Sequence, residues 1–339
     1  MTNAKHNRRL LYIIILCGCA VITAAGIGSV NIPVAETTKI LSNFIFKTGF
    51  VVDATYETIL LNIRINRVLL AFICGAGLSV SGVVMQSVLR NPLASSSTLG
   101  VSSGAAVGAS LSIVMGFSFF GRFTAPAFGF AFGLATVMLA ISIAGKLSRN
   151  LDNSAIILTG MAFSFFAGSA ITMMMILRRH ELQRLVFWQM GSFALKDISY
   201  PAVLFPVVAV GSLFVFRFSR EMDMMTLGEE QALSSGVEIK KIKWALLAAG
   251  SVMTGAVVSM SGIIGFIDLF TPHVARKLFG ASHRYVVVAS ALLGGFFMVA
   301  CDLISRSASR YELPVGAVTS FIGAPFFMYL YFNGRRKRV

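Results

Sequence analysis

The sequence predicts an all-α, polytopic membrane protein of about ten transmembrane helices, and three observations lead there. Of the 339 residues, 56% are hydrophobic and only 13% charged, about half the charged share of a soluble domain. The apolar residues are gathered into runs of about 20, the length that crosses a bilayer. Two of those runs carry the same string of small residues, the mark of an internal repeat. A net charge of +15 would suggest nucleic acid in a soluble protein. Here the basic residues stand at the ends of apolar runs, where they set topology and meet anionic lipid, and no nucleic-acid partner is expected. The four cysteines, Cys17, Cys19, Cys74 and Cys301, all lie in apolar segments. They have neither disulfide nor metal spacing and read as small core residues. No metal site and no cofactor is expected, and residues 1–339 read as a single transmembrane domain.

In chain order, the basic stretch Lys5 to Arg9 precedes an apolar run over 10–30. A signal peptide shares this plan, but the run is long enough to span, and it is read as an uncleaved first helix. Residues 31–63 are mixed and partly amphipathic. Further spans are expected at 68–89, 97–116, 123–145, 154–177 and 199–216. After a polar stretch at 217–243 come 244–262, 263–280, 285–304 and 313–332. The segment 263–280 fits least well, since it contains Asp268, Pro272 and His273.

With ten spans and the N-terminus inside, 18 of the 29 lysines and arginines fall on the cytoplasmic side and 11 outside. That excess has the sign of the positive-inside rule, and it puts both termini and the 217–243 stretch in the cytoplasm. Trp244 then lies at the inner interface and Trp188 near the outer one. Arg64, Arg67, Arg178, Arg179, Arg184, Arg306 and Arg310 fall on the outer side, where basic residues are usually scarce. They read either as side chains snorkelling to headgroups or as a positive face for an acidic partner or anionic cargo.

The repeat is GAGLSVSG at 75–82 and GAVVSMSG at 255–262, with Pro92 and Pro272 each ten residues further on, so the offset is 180 throughout. The two copies run in opposite directions through the membrane. That is an inverted repeat, a common transporter plan, with halves of roughly 64–178 and 244–332. Gly75, Gly82, Gly255 and Gly262 are its packing positions. Gly100, Gly104 and Gly108 form a second stripe of small residues, suited to close helix approach in a bilayer.

The polar stretch 217–243 holds five of the fourteen acidic residues. Thr226 followed by Glu229 fits a capping box, and Gly236 fits a helix stop, so a short helix over 226–236 is expected in the cytoplasm. It reads as a solvated connector or as a docking element. The chain has no GxxxxGK[ST] phosphate loop, no HExxH metal motif and no paired-histidine haem spacing, so an enzyme is not expected. An ion-coupled carrier would need ionisable groups within the bilayer. The first six spans have none in their interiors, which leaves Asp268, His273 and Asp302. The other transporter class is a membrane subunit driven by a separate ATPase, which would need a cytoplasmic docking element.

The run RINRVLLAFICGAGLSVSGVVMQSVLRNPLASSSTLGVSSGAAVGA (64–109) resembles the FecCD-type permeases, the membrane subunits of bacterial ABC importers for iron–siderophore complexes, haem and cobalamin. FWQMGSF (187–193), TLGEEQALSSGV (226–237), GFIDLFTPHVARKLFGASHR (265–284) and ELPVGAVTSFIGAPFFMYL (312–330) resemble that family's signatures in the same order. The resemblance implies a multi-pass protein of the bacterial inner membrane. It implies pairing with a second permease subunit, two cytoplasmic ATPases and an extracytoplasmic substrate-binding protein. It matches Thr226, Leu227, Gly228, Glu229, Glu230 and Gly236 to the ATPase-coupling loop. It also matches Arg64, Arg67 and Arg306 to arginines that meet acidic residues of the binding protein. Asn66 stands where the family has proline, and Asp268 where a small residue is common. Iron–siderophore is the expected cargo.

Overall fold

The computed structural model describes residues 2–28, 30, 32–147, 152–236, 238–309 and 311–336. Arg149, Arg310, Lys337 and Arg338, which enter the charge count, lie outside the described residues, as does the side chain of Glu229. The chain folds as α1 (Thr2–Gly26), α2 (Val34–Phe46), α3 (Ala54–Thr58), α4 (Ile65–Val88), α5 (Val101–Met115), α6 (Thr124–Leu147), α7 (Asn153–Leu177), α8 (Leu182–Met190), α9 (Ser199–Arg217), α10 (Ser219–Leu227), α11 (Glu229–Ser234), α12 (Ile239–Ser261), α13 (Ile267–Phe279), α14 (His283–Ser307) and α15 (Val315–Arg336). No strand occurs among the described residues.

Each of the ten expected spans falls on a helix. Seven helical stretches are long and apolar enough to cross a membrane. Two more, Val101–Met115 and Val315–Tyr329, are apolar but shorter. The remaining expected span, 263–280, falls on α13, whose 13 residues make about 20 Å at 1.5 Å per residue, shorter than the hydrocarbon core of about 30 Å. The second span starts earlier than its hydropathy suggests. Helical structure runs unbroken over Ala54–Val88, with a π-helical stretch at Ile59–Arg64. Asn66 extends that continuity, since its side-chain amide donates to the Asn62 carbonyl at 2.7 Å.

The centre of the bundle is α4. It is apolar on all sides and buried over nearly its whole length, as such a helix must be. It packs on α14, α12, α13 and α9. In turn, α12 packs on α6 as well as on α4. One apolar cluster gathers around Val84, Met85 and Val88 with Met222, Met225, Phe279 and Val286. A second surrounds Leu70, Cys74 and Leu78 with Phe193, Leu204, Ile267 and Met298. Towards the periphery, α7 is the least enclosed of the central spans, with Leu158, Phe165, Phe166, Met173, Ile176 and Leu177 exposed.

Candidate functional site

Sequence reasoning singles out two regions, and they lie at opposite ends of the bundle. At one end is the 217–243 stretch. Met222 and Met225 are buried in the core cluster and fix α10 to the bundle. The single capped helix expected over 226–236 is corrected. Thr226 lies in the last turn of α10, and its hydroxyl donates to the Asp223 carbonyl at 2.7 Å instead of capping a following helix. Gly228, at φ 142° and ψ 149°, separates α10 from α11. That positive φ suits a residue without Cβ. Gly236, at φ 81°, follows the end of α11, as a helix stop should. Leu227 and Leu233 are 69% and 59% exposed beside the exposed Glu230. The same stretch carries a concavity of about 650 Å³, lined by Arg220, Glu221, Met224, Ser235, Gly236, Glu238 and Ile242.

At the other end are Arg64, Arg67 and Arg306. All three are buried, which corrects the expectation of free outer charges. Arg64 donates to the carbonyls of Ala25 at 3.3 Å and Gly26 at 2.6 Å, and also to Val30. Arg306 donates to the Ala24 carbonyl. The last carbonyls of α1 have no intrahelical N–H partner and lie at the negative end of its dipole, so two guanidinium groups close that end. Arg67 donates from Nε to Asp302 and from Nη1 to Glu312, both at 2.8 Å. Asp302 has no exposed side-chain surface, and Arg306 Nε stands 3.4 Å from its second oxygen. This end is thus a buried network that ties α1, α4 and α14 to the residues before α15. The side chains of Arg178, Arg179 and Arg184 are exposed.

Between the ends, small residues permit close contact. A Cβ at Gly75 would run into the carbonyl of Gly294 on α14, and one at Gly82 into the carbonyl of Asp268 on α13. Gly104 and Gly108 lie against Thr136 and Phe128 of α6. Gly100 precedes α5 at φ 76°. Gly255 is in ordinary contact with Phe130 of α6, and Gly262, at φ 80°, meets the Trp188 carbonyl. Asp268, unexplained by sequence, accepts hydrogen bonds from the Ser96 N–H at 2.9 Å and the Ser96 hydroxyl at 2.6 Å. It fixes the turn at Ser96–Leu99 that leads into α5. The FWQMGSF segment also has a place: Ser192 N–H donates to the Ser261 carbonyl at 2.8 Å, and Val315 N–H to the Gly191 carbonyl at 3.1 Å. It joins the end of α12 to the start of α15. One G-x-S-x-G string does occur, at Gly100–Gly104. Its Ser102 is buried in the first turn of α5, with no hydrogen bond to its hydroxyl among the described residues.

The FecCD transport family matches residues 13–333. The chain belongs to that family. A permease of Bacillus subtilis, the ABC transporter permease protein YvrB, is 38% identical over 329 residues, covering 95% of this chain and 93% of its own. The cobalamin import system permease BtuC of Halobacterium salinarum is 38% identical over 281 residues, covering 83% of this chain and 75% of its own. A solved structure, described as a metal-chelate type ABC transporter in an inward-facing conformation, superposes with a TM-score of 0.84 at 28% identity. It covers 96% of this chain and 99% of that one. This FecCD protein is therefore the membrane permease of an ABC importer of the metal-chelate type, a transport component and not an enzyme. Permeases of this family work as membrane-embedded dimers with a separate ATPase and a binding protein.

Proposed function

We propose that this permease moves an iron–siderophore complex across the bacterial cytoplasmic membrane, with both termini and the 217–243 loop in the cytoplasm. One observation carries the coupling part of the reading. In an otherwise polar loop, Leu227 and Leu233 are exposed, the same loop carries a concavity lined by Arg220, Met224 and Gly236, and the chain has no phosphate loop of its own. Thr226, Leu227, Gly228, Glu229, Glu230 and Gly236 thus form the surface on which an ATPase subunit presses. Binding-protein docking falls on the opposite face. There Arg64, Arg67 and Arg306 act by building the rim, while the exposed Arg178 and Arg179, with Arg184 paired to Glu181 at 3.0 Å, offer positive charge that sets docking rate and register.

Two features support the inverted-repeat halves. The first helix of each half packs on the third helix of the other, α4 on α14 and α12 on α6. The second helix of each half, α5 or α13, is the short one. The pathway runs between two permease subunits, identical or paralogous, along α7 and α15. On its exposed side α7 carries a groove of about 530 Å³ lined by Ser164, Gly168, Ser169 and Thr172 among apolar side chains. Small hydroxyl residues on a lipid-length helix suit the passage of a bulky polar complex.

Haem or cobalamin are the alternative cargoes. The ion-coupled reading loses its two carboxylates, because Asp268 and Asp302 are both engaged inside the protein. The test is uptake of a radiolabelled ferric siderophore into cells that hold this permease, its ATPase and its binding protein, with haem and cobalamin as competitors. Saturable, ATPase-dependent iron uptake that neither competitor reduces is the expected result. Uptake of cobalamin or haem instead would reassign the cargo, and uptake that survives loss of the ATPase would overturn the coupling reading.

A further inference from the structure

A chain of hydrogen bonds leaves α10 and enters the bundle at the junction of α14, α4 and α13. The Asp223 carboxylate accepts from the His283 backbone N–H at 2.9 Å and from its Nδ1–H at 2.5 Å. His283 is the first residue of α14, so a carboxylate borne by α10 sits at the positive end of the α14 dipole. On the far side of the ring, Nε2 lies 2.5 Å from the Ser87 hydroxyl, at the end of α4. Arg276 of α13 donates to that hydroxyl at 3.2 Å and also to the Gln86 side-chain oxygen. The donors and acceptors run in one direction with a neutral imidazole. Arg276 donates to Ser87, Ser87 donates to Nε2, and Nδ1–H donates to Asp223. His283 and Ser87 are 1% and 2% exposed, so water cannot replace the link between them cheaply, while the Asp223 side chain, 40% exposed, carries the chain out to the surface. The same order of groups activates the serine of hydrolases. Here the hydroxyl is sealed and already accepts from Arg276, so it has no room for a reacting carbonyl.

The pair α4–α14 receives this chain and is stiff along its length. It is antiparallel: Ser87 meets His283 at one end, and Arg67 meets Asp302 at the other. The two junctions are about 30 Å apart at 1.5 Å per residue. Midway, Gly75 and Gly294 bring the two backbones into contact.

We propose that Asp223, His283 and Ser87 are positioning residues for coupling, the joint through which displacement of α10 drives α4 and α14 as one body. The proposal rests on reading α10–α11 as the ATPase-coupling element, and the experiment separates the two. Hydrogen exchange is followed by mass spectrometry in the assembled permease–ATPase complex, with and without ATP and vanadate. No cargo is needed. If the coupling reading is right, exchange over 219–234 responds to the ATPase and nucleotide. If the joint is right, exchange at 86–90 and 283–287 responds too, by about tenfold, within the range of coupling between protein sites.

In Asp223→Asn and in Ser87→Ala the α10–α11 response should persist, while the response at 86–90 and 283–287 falls to within about twofold. The double variant should lose no more than either single one, because both cut the same chain. Asp223→Glu, which keeps the acceptor, should recover part of the response. A merely structural role would raise exchange equally with and without nucleotide, and that result would overturn the proposal. So would an undiminished response in both single variants. Silence over 219–234 in the unaltered complex would overturn the coupling reading itself. Should Asp223→Asn fail to assemble, Ser87→Ala decides alone, since it removes one buried oxygen and leaves α10 untouched.

Discussion

Replacing Asp302 by alanine tests whether the rim around Arg64, Arg67 and Arg306 is held by buried charge. Asp302 has no exposed side-chain surface and lies between Arg67 Nε at 2.8 Å and Arg306 Nε at 3.4 Å. Its removal leaves two buried guanidinium groups without their common counter-ion, and breaking a buried pair in this way costs about 3–5 kcal/mol. Glu312 makes an equally short bond to Arg67, but its side chain is 50% exposed. Solvent already screens that contact, so Glu312→Ala should cost less than about 1 kcal/mol. The contrast between the two variants is the prediction. Cys301 is adjacent to Asp302 and buried, so a fluorogenic maleimide reads the opening of this region directly once the other free cysteines, Cys17, Cys19 and Cys74, are changed to alanine. Because membrane proteins often unfold irreversibly, midpoints are compared at one heating rate. Asp302→Ala should label at markedly lower temperature than the parent, and Glu312→Ala close to it. Equal midpoints for the two variants would refute the reasoning. The same geometry bears on charge reversal: Arg67→Glu would place a third carboxylate beside Asp302 and Glu312, and assembly should fail before docking is tested.

Glycine substitutions should divide by what the added Cβ meets. Gly82→Ala runs into the Asp268 carbonyl and should cost about 1–3 kcal/mol as overpacking, whereas Gly255→Ala, with its nearest neighbour at 3.6 Å, should leave the thermal midpoint nearly unchanged. Gly236→Ala strains a φ of 81° at an exposed position. It should lower transport per ATP hydrolysed in proteoliposomes more than it lowers stability. Ser164→Cys on the open face of α7 should form a cross-link between permease subunits, and its failure to do so in the assembled transporter would remove α7 from the pathway. Asp197 is held below its ordinary value of 3.8, first by the Ser199 hydroxyl and then by Arg122. A depressed carboxylate contributes above its unfolded pKa and loses that contribution as pH falls through the folded one. The difference in thermal midpoint between parent and Asp197→Asn should therefore stay constant from about pH 8 to about pH 5, closing only below about pH 4.

The helices and the polar 217–243 loop were legible because their signals are local. Apolar runs, the polar break at 217–243 and the repeated glycines are read within one or two turns of chain. The arginines were legible in number but not in state. Arg64 finds its acceptors 34 to 39 residues away and Arg306 finds Ala24 at a separation of 282. No local pattern announces that two guanidinium groups close the end of α1. Asp268 failed for the same reason, since its partner Ser96 is 172 residues distant. The capping box failed differently: the Thr226 and Glu229 spacing is right, but α10 continues through Thr226 because Met222 and Met225 pull that helix onto the core. Tertiary burial outweighed a local cap worth about 1 kcal/mol.

The placement of rigid and loose elements bears on how the permease works. The antiparallel pair α4–α14 is pinned at the Ser87–His283 end and at the Arg67–Asp302 end, and its glycines exclude sliding by close backbone contact. Packed interfaces of this kind have discrete arrangements and move as units. The spans with open faces, α7 and α15, carry the exposed Phe165, Phe166 and Phe321. They are free to repack against a second subunit without breaking a buried charge. A cycle that moved α4 against α14 would have to break the buried Arg67–Asp302 pair on each turn, at about 3–5 kcal/mol. A cycle that rotates the α4–α14 body and repacks α7 and α15 across the dimer breaks none of it. The relaxed route therefore puts rigidity where α10 connects and freedom where the proposed pathway runs.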